Sequence, residues 1–185
     1  GFNAGSALSA NATAAMAFAT TTIASASAMM TWVFFDRLNG RKVSALGACI
    51  GAVVGLVVIT PSAGYVTIPQ SIFFGFIGAL VSNRMVYWKK LKQIDDTLDV
   101  FACHGVGGIM GMILTAIFAQ GENASLLHGG WNVFGHHMMA LILVSAFTFG
   151  GAYFLFKITN LIIPIRVSEE SENIGLDLSQ HGEKF

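Results

Sequence analysis

Apolar residues along this chain gather into five long runs, at about 7–35, 43–60, 67–88, 99–119 and 136–163. Each is long enough for a helix crossing a hydrocarbon core of about 30 Å, with tilt or a few flanking residues making up the shorter ones. The polar residues fall between them. Asp36-Arg-Leu-Asn-Gly-Arg-Lys42 carries a turn signal at Asn39-Gly40, Pro61-Ser-Ala-Gly64 breaks the second run, and Lys89-Lys-Leu-Lys-Gln-Ile-Asp-Asp96 reads as a charged turn. The fourth separator, Gln120 to Gly135, is longer and contains Gly129-Gly130. This pattern predicts an all-α chain, a polytopic bundle of five transmembrane helices.

Small residues recur inside the runs. Gly47, Gly51 and Gly55 are spaced by four in the second, and Gly107 and Gly111 in the fourth. Lipid gives no hydrophobic drive for helix association, so such stripes let backbones approach and pack. The Ala-, Ser- and Thr-rich stretch from Ser9 to Ser27 reads the same way, its hydroxyls bonding across helices or to their own carbonyls. Met16, Met29 and Met30 are expected to pack and not to form a metal box.

Basic residues sort to one side of this layout. Arg37, Arg41 and Lys42 lie in the first loop, Arg84, Lys89, Lys90 and Lys92 around the third, and Arg166 and Lys184 after the last run. Lys157 can snorkel to the same side. The opposite loops, 61–66 and 120–135, hold no Lys or Arg. By the positive-inside rule the tail after Arg166 is cytoplasmic, and the first run is entered from outside. Trp32, Trp88 and Trp131 fall near run ends, where an aromatic belt is expected.

Composition agrees with a membrane protein: 54% of residues are hydrophobic, only 11% are charged, and mean hydropathy is +0.66. Ten Lys and Arg balance ten Asp and Glu, and no basic cluster interleaves with aromatics, so nucleic acid is not an expected partner. Cys49 and Cys103 lie in apolar runs without metal or redox spacing and are expected to be buried and unpaired. Gly1 opens the chain with neither a start methionine nor a signal peptide, and five crossings is an odd number; both fit a fragment of a larger helical protein.

Chemistry is most concentrated around His104, in Asp99-Val-Phe-Ala-Cys-His-Gly-Val-Gly-Gly108. A charged side chain inside a membrane span costs about 2.5–3.5 kcal/mol on insertion scales, so such groups face a bundle interior or a pathway. A neutral ring bonding a neighbouring helix is the plainer alternative. The flanking Gly105, Gly107, Gly108 and Gly111 keep bulky side chains away and favour the pathway. At the other end, Phe2 and Ser6 are one helical turn apart, placing a ring face beside a hydroxyl acceptor that together suit a small ammonium-like ion. By spacing alone, ordinary packing explains that pair better. His128, His136 and His137 lie in or beside the outer loop and read as solvated rings, and adjacent His136 and His137 point to different helix faces, against a metal site. Asn123-Ala-Ser125 matches a glycosylation triplet of low specificity. Beyond Arg166 the chain turns polar and acidic, with Ser168 as a helix cap, acids after it, and Gly175 as a stop. His181 is expected to be exposed there.

Four motifs in order resemble ammonium transporters of the Amt family: Gly1-Phe-Asn-Ala-Gly-Ser-Ala7, Gly55-Leu-Val-Val-Ile-Thr-Pro-Ser-Ala-Gly64, Asp95-Asp-Thr-Leu-Asp-Val-Phe101 running into His104-Gly-Val-Gly-Gly108, and Gly175-Leu-Asp-Leu-Ser-Gln-His-Gly-Glu183. The Rhesus-type branch differs around the histidine and lacks this form of tail. The resemblance implies an eleven-helix fold with an internal inverted repeat and a homotrimer with one path per subunit. Residues 1–165 would be the C-terminal part of its membrane domain, the second repeat, and 166–185 its cytoplasmic regulatory tail. It also implies that Ser6 is the hydroxyl of the outer recruitment site, Phe2 an aromatic of the pore gate below it, and His104 the second histidine of a proton-relaying pair. Asp99 would be a structural acid before that helix, read here as a cap. The implied cargo is ammonium or ammonia, with no cofactor, no metal and no enzymatic reaction. The implied setting is the cell membrane, with a PII-type signalling protein at the cytoplasmic face. The first pore histidine, the second gate aromatic and the recruiting tryptophan belong to the first repeat, and nothing in 1–185 replaces them. Two alternatives stay open: an ammonium sensor signalling through a cytoplasmic partner, and an incomplete chain inactive alone.

Overall fold

The computed structural model describes residues 1–120 and 125–183, and every regular element among them is helical. A short α1 (Phe2–Gly5) precedes α2 (Ala12–Leu38), α3 (Ala45–Ile59) and α4 (Ile68–Leu91). A π-helical turn, Phe101–Gly105, then leads into α5 (Val106–Phe118), followed by the long α6 (Trp131–Ile162) and the short α7 (Glu169–Ile174). Asn123 of the glycosylation triplet lies outside the described residues.

The helices begin where the sequence supplies caps. Asn11 Oδ1 accepts the Ala14 N–H at 2.9 Å and Ser44 Oγ that of Gly47 at 3.0 Å, each satisfying a donor the helix cannot. Thr67 and Gln70 form a reciprocal capping box at the start of α4. Five long helices therefore match the five apolar runs. Four of these segments, Ala12–Leu38, Ala45–Ser62, Phe101–Phe118 and Trp131–Ile162, are long and apolar enough to cross a membrane. The fifth, α4, has the length, but Gln70, Asn83 and Arg84 dilute its apolar face.

The chain divides into two compact units, Gly1–Leu141 and Ile142–Phe185. In the first, α2 packs on both α3 and α4, and α5 with its π turn packs on α3 and α4. One core cluster joins Ala28, Trp32, Val54, Ala79, Val86, Ala102 and Cys103; a second joins Ala24, Val58, Ile59, Val66, Phe74 and Leu114. The glycine stripe makes this possible. A Cβ on Gly55 would stand 2.5 Å from the Ala24 carbonyl oxygen, and one on Gly111 equally close to that of Val58, so both sites bring backbone against backbone.

Three expectations are corrected here. Trp32 belongs to the core at 2% exposure and not to a belt, because the small residues of α3 leave its ring a slot; Trp88 and Trp131 are exposed. Cys103 is buried, but Cys49 faces outward from α3, since Gly47 and Gly51 take the packed face; both cysteines are unpaired. Helix α6 starts at Trp131, ahead of the apolar run; His136 is exposed as expected, whereas His137, expected to be solvated, is half-buried with its Nδ1 covered and without a hydrogen-bond partner among the described residues.

In the second unit, Ile142–Ile162 of α6 presents exposed apolar side chains such as Phe147, Phe154 and Leu161. After it, Arg166 grips Glu172 with two hydrogen bonds, at 2.7 and 3.1 Å. Ser168 caps α7 by accepting the Ser171 N–H, three glutamates fill the first turn, and Gly175, at φ 98°, ends it. His181 is exposed.

Candidate functional site

Phe2 and Ser6 share one helical turn, as their spacing predicts. Ser6 Oγ donates to the Phe2 carbonyl at 3.0 Å, which spends its proton and leaves its oxygen lone pairs available to accept. Both residues line a pocket of 240 Å³ together with Asn3, Thr13, Thr60 and Tyr65. Phe2 is 86% exposed, so its ring face is uncovered by this chain. Asn3 holds α1 in place: its amide donates to Thr21 Oγ1 at 3.0 Å and to Thr60 Oγ1 at 3.3 Å. Thr60 in turn donates to the Leu56 carbonyl at 2.7 Å. Asn3 and Thr60, 57 residues apart, are the site residues that spacing alone missed. A larger groove of 720 Å³ between α2 and α4 is lined by Ile23, Met30, Phe34 and Phe76 and is almost wholly apolar. Its few hydroxyls, Ser27 and Thr31, donate to backbone carbonyls, and the smaller pocket, richer in polar groups, is the chemically relevant one.

His104 does not line that pocket. It stands on the π turn, where the Val106 N–H reaches back five residues to the Phe101 carbonyl. Such a turn inserts one extra residue into the helical register, and π turns recur at functional positions. Ala102 and Cys103 on the same turn are buried in the core, while His104 and Phe101 are exposed. One face of the turn is thus anchored and the other presents the imidazole.

The cap before this helix is Asp96, which corrects the expectation for Asp99. Asp96 accepts the N–H groups of Val100 at 2.9 Å and Phe101 at 3.1 Å, one on each carboxylate oxygen. Asp99 has a positive φ of 54°, and its carboxylate meets Lys89 Nζ at 2.5 Å. Asp99 is committed to an ion pair, so the cap falls to the acid one turn earlier. Lys89 also contacts Asp96 Oδ2 at 3.2 Å and donates to the Asp96 carbonyl. Burial works against the charge on Asp96, but the hydrogen bond from Lys89 and those from the two backbone N–H groups outweigh it and hold the carboxyl below its ordinary value.

Arg41 is also a structural cation. It donates to Asn83 Oδ1 at 2.9 Å, pairs with the buried Asp36 at 3.3 Å and lies over the Tyr87 ring. Two of the basic residues that the sequence places in or beside loops, Arg41 and Lys89, are therefore internal clasps. No group of three or more metal-binding side chains occurs among the described residues.

The model of the Ammonium Transporter Family matches residues 1–185. This chain belongs to the ammonium transporter family. It is 40% identical to an ammonium transporter of Bacillus subtilis, covering 100% of this chain and 47% of that protein. It is 42% identical to one of Aquifex aeolicus, covering 100% of this chain and 44% of that protein. Among solved structures, Saccharomyces cerevisiae Mep2 superposes with a TM-score of 0.84 at 32% identity, over 91% of this chain and 40% of that one. A structure described as a sensor Amt protein gives a TM-score of 0.84 at 29% identity, over 97% and 45%. The chain spans about half the length of the curated relatives it matches. Ammonium transporter family members are channels or transporters and not enzymes, and four apolar spans fit a multi-pass membrane protein.

Proposed function

We propose that this chain forms one wall of a path that conducts ammonium or ammonia across the cell membrane, as the C-terminal part of a transporter subunit. The observation that carries the proposal is the shared turn of Phe2 and Ser6 in a polar-rimmed pocket, on a chain of this family. Ser6 Oγ accepts an N–H of the arriving ion, and the Phe2 ring attracts its charge and gates the passage below.

Stripping water from an unpaired ion in an apolar setting is far too costly, on the order of tens of kcal/mol, and buried groups shed charge instead. An imidazole suits that step. His104 can accept on one nitrogen while donating on the other, so it relays the proton while neutral ammonia crosses the apolar stretch. Its partner histidine, the second gate ring and the rest of the recruitment site belong to the other part of the subunit. Residues 1–165 form the membrane domain, Asp99 acts structurally through its ion pair, and 166–185 form a cytoplasmic regulatory tail. The subunit assembles as a homotrimer, and a PII-type signalling protein meets its cytoplasmic face.

The likeness to a sensor Amt protein supports a second reading, in which the chain binds ammonium and signals through a cytoplasmic partner. Uptake of labelled methylammonium by liposomes holding the complete protein separates the two. Saturable flux that ammonium competes away is expected; binding without flux would move the protein to the sensor class.

A further inference from the structure

The geometry points to Lys89, acting through Asp96 and Asp99, as a positioning residue for His104, an inference that rests on the pore reading of His104 given above. Lys89 sits in the last turn of α4 with its side chain only 5% exposed, which is rare for a lysine without fixed partners. Its ammonium holds the carboxylates of Asp96 and Asp99, two of the three acids in the segment that precedes the π turn. From there two short links run to the histidine. The Asp96 carboxylate takes the N–H groups of Val100 and Phe101, the residues on which the π turn starts. The Asp99 carbonyl accepts the Cys103 N–H at 2.9 Å, one residue before His104.

The backbone of this segment needs such a clamp. Gln93 and Asp99 both adopt positive φ, at 53° and 54°, a region that costs side-chain-bearing residues free energy and persists only where surrounding contacts hold it. A π turn is likewise less favourable than the α-helix it interrupts. Relaxation to a regular α turn would drop one residue from the register and rotate the His104 ring away from its present face. Removing the Lys89 charge leaves two carboxylates close together in a partly buried site without their cation, and it removes the contact that holds the Asp99 backbone in place. Lys89 does not touch the conducted species in this arrangement; it sets where the imidazole stands.

The test uses the complete protein in liposomes, with flux normalised to folded protein. In Lys89→Met, flux or the preference for methylammonium over potassium should fall about tenfold or more, since a displacement near 1 Å can cost about 100-fold in a positioned step. The pH profile of flux should also shift, and Lys89→Arg, which keeps the charge, should recover much of the loss. A purely structural lysine would lower the yield of folded protein and leave selectivity and pH profile at parental values; that result overturns the inference. If Lys89→Met does not reach the membrane, Asp96→Asn carries the same expectation and the same refutation. His104→Ala is measured alongside. Parental selectivity and flux in His104→Ala would remove the pore reading itself, whereas a defect there with none in Lys89→Met would refute the positioning role alone.

Discussion

Replacing Ser6 with Ala removes one oxygen from the pocket and changes little else. The hydroxyl is exposed, and its bond to the Phe2 carbonyl links groups within a single turn. Exposed substitutions of this kind stay within about 0.5 kcal/mol of parental stability, so the melting temperature should not move measurably. Binding is different. A hydrogen bond to a charged donor is worth about 1.5–3 kcal/mol. The pocket is open in this chain and water competes for the acceptor, so the lower end applies. At about 1.4 kcal/mol per tenfold, half-saturation for methylammonium should rise about tenfold, with the maximal rate changed less. Concentration series of flux on parent, Ser6→Ala and Ser6→Thr, which restores an oxygen, measure this directly. Parental half-saturation in Ser6→Ala would refute the binding role and leave Ser6 as a packing residue.

In His104→Ala, folding should survive because the ring is exposed and its turn is anchored by Ala102 and Cys103; ammonium selectivity or flux should be lost, as read by ion competition. Gly55→Val should destabilise the α2–α3 contact by about 1–3 kcal/mol, seen in thermal unfolding, because its Cβ would meet the Ala24 carbonyl at 2.5 Å and no flexible side chain can yield there. The lowered pKa of Asp96 means that the folded state binds its proton less readily than the unfolded chain does. Its stabilisation is therefore fully present above the ordinary value of 3.8 and is lost as pH falls through the lower folded value. Unfolding scans from pH 6 to 3 on parent and Asp96→Asn should show a larger acid-dependent loss in the parent, the remainder coming from paired acids such as Glu172 that both proteins share. Deleting 168–185 should leave the helices folded, because α7 and the turn after it bury little apolar surface, while lowering flux or ending its control by a PII-type partner; equal flux and equal partner response with and without the tail would assign it no function.

What the sequence determines here is local. Apolar runs, the cap at Ser168, the stop at Gly175 and the one-turn spacing of Phe2 and Ser6 all depend on neighbours within a few positions, and each appears in the structure where it was expected; the caps at Asn11, Ser44 and Thr67 are equally local, though the structure was needed to point them out. The family was legible for a related reason, since its motifs are short contiguous strings. Tertiary structure decided whatever joins distant positions. The slot for Trp32 exists only because Gly47 and Gly51 of another helix face it. Asn3 meets Thr60, and Arg41 meets Asn83, across intervals that no periodicity encodes. Lys89 reads in sequence as one of several loop cations, and Asp99 as the acid that caps the next helix. Only the end of α4, packed beside that loop, brings the ammonium to Asp99 and so leaves Asp96 to hold the backbone. Opposite charges bind the partner that the fold places within reach, and a linear pattern carries no information about that distance.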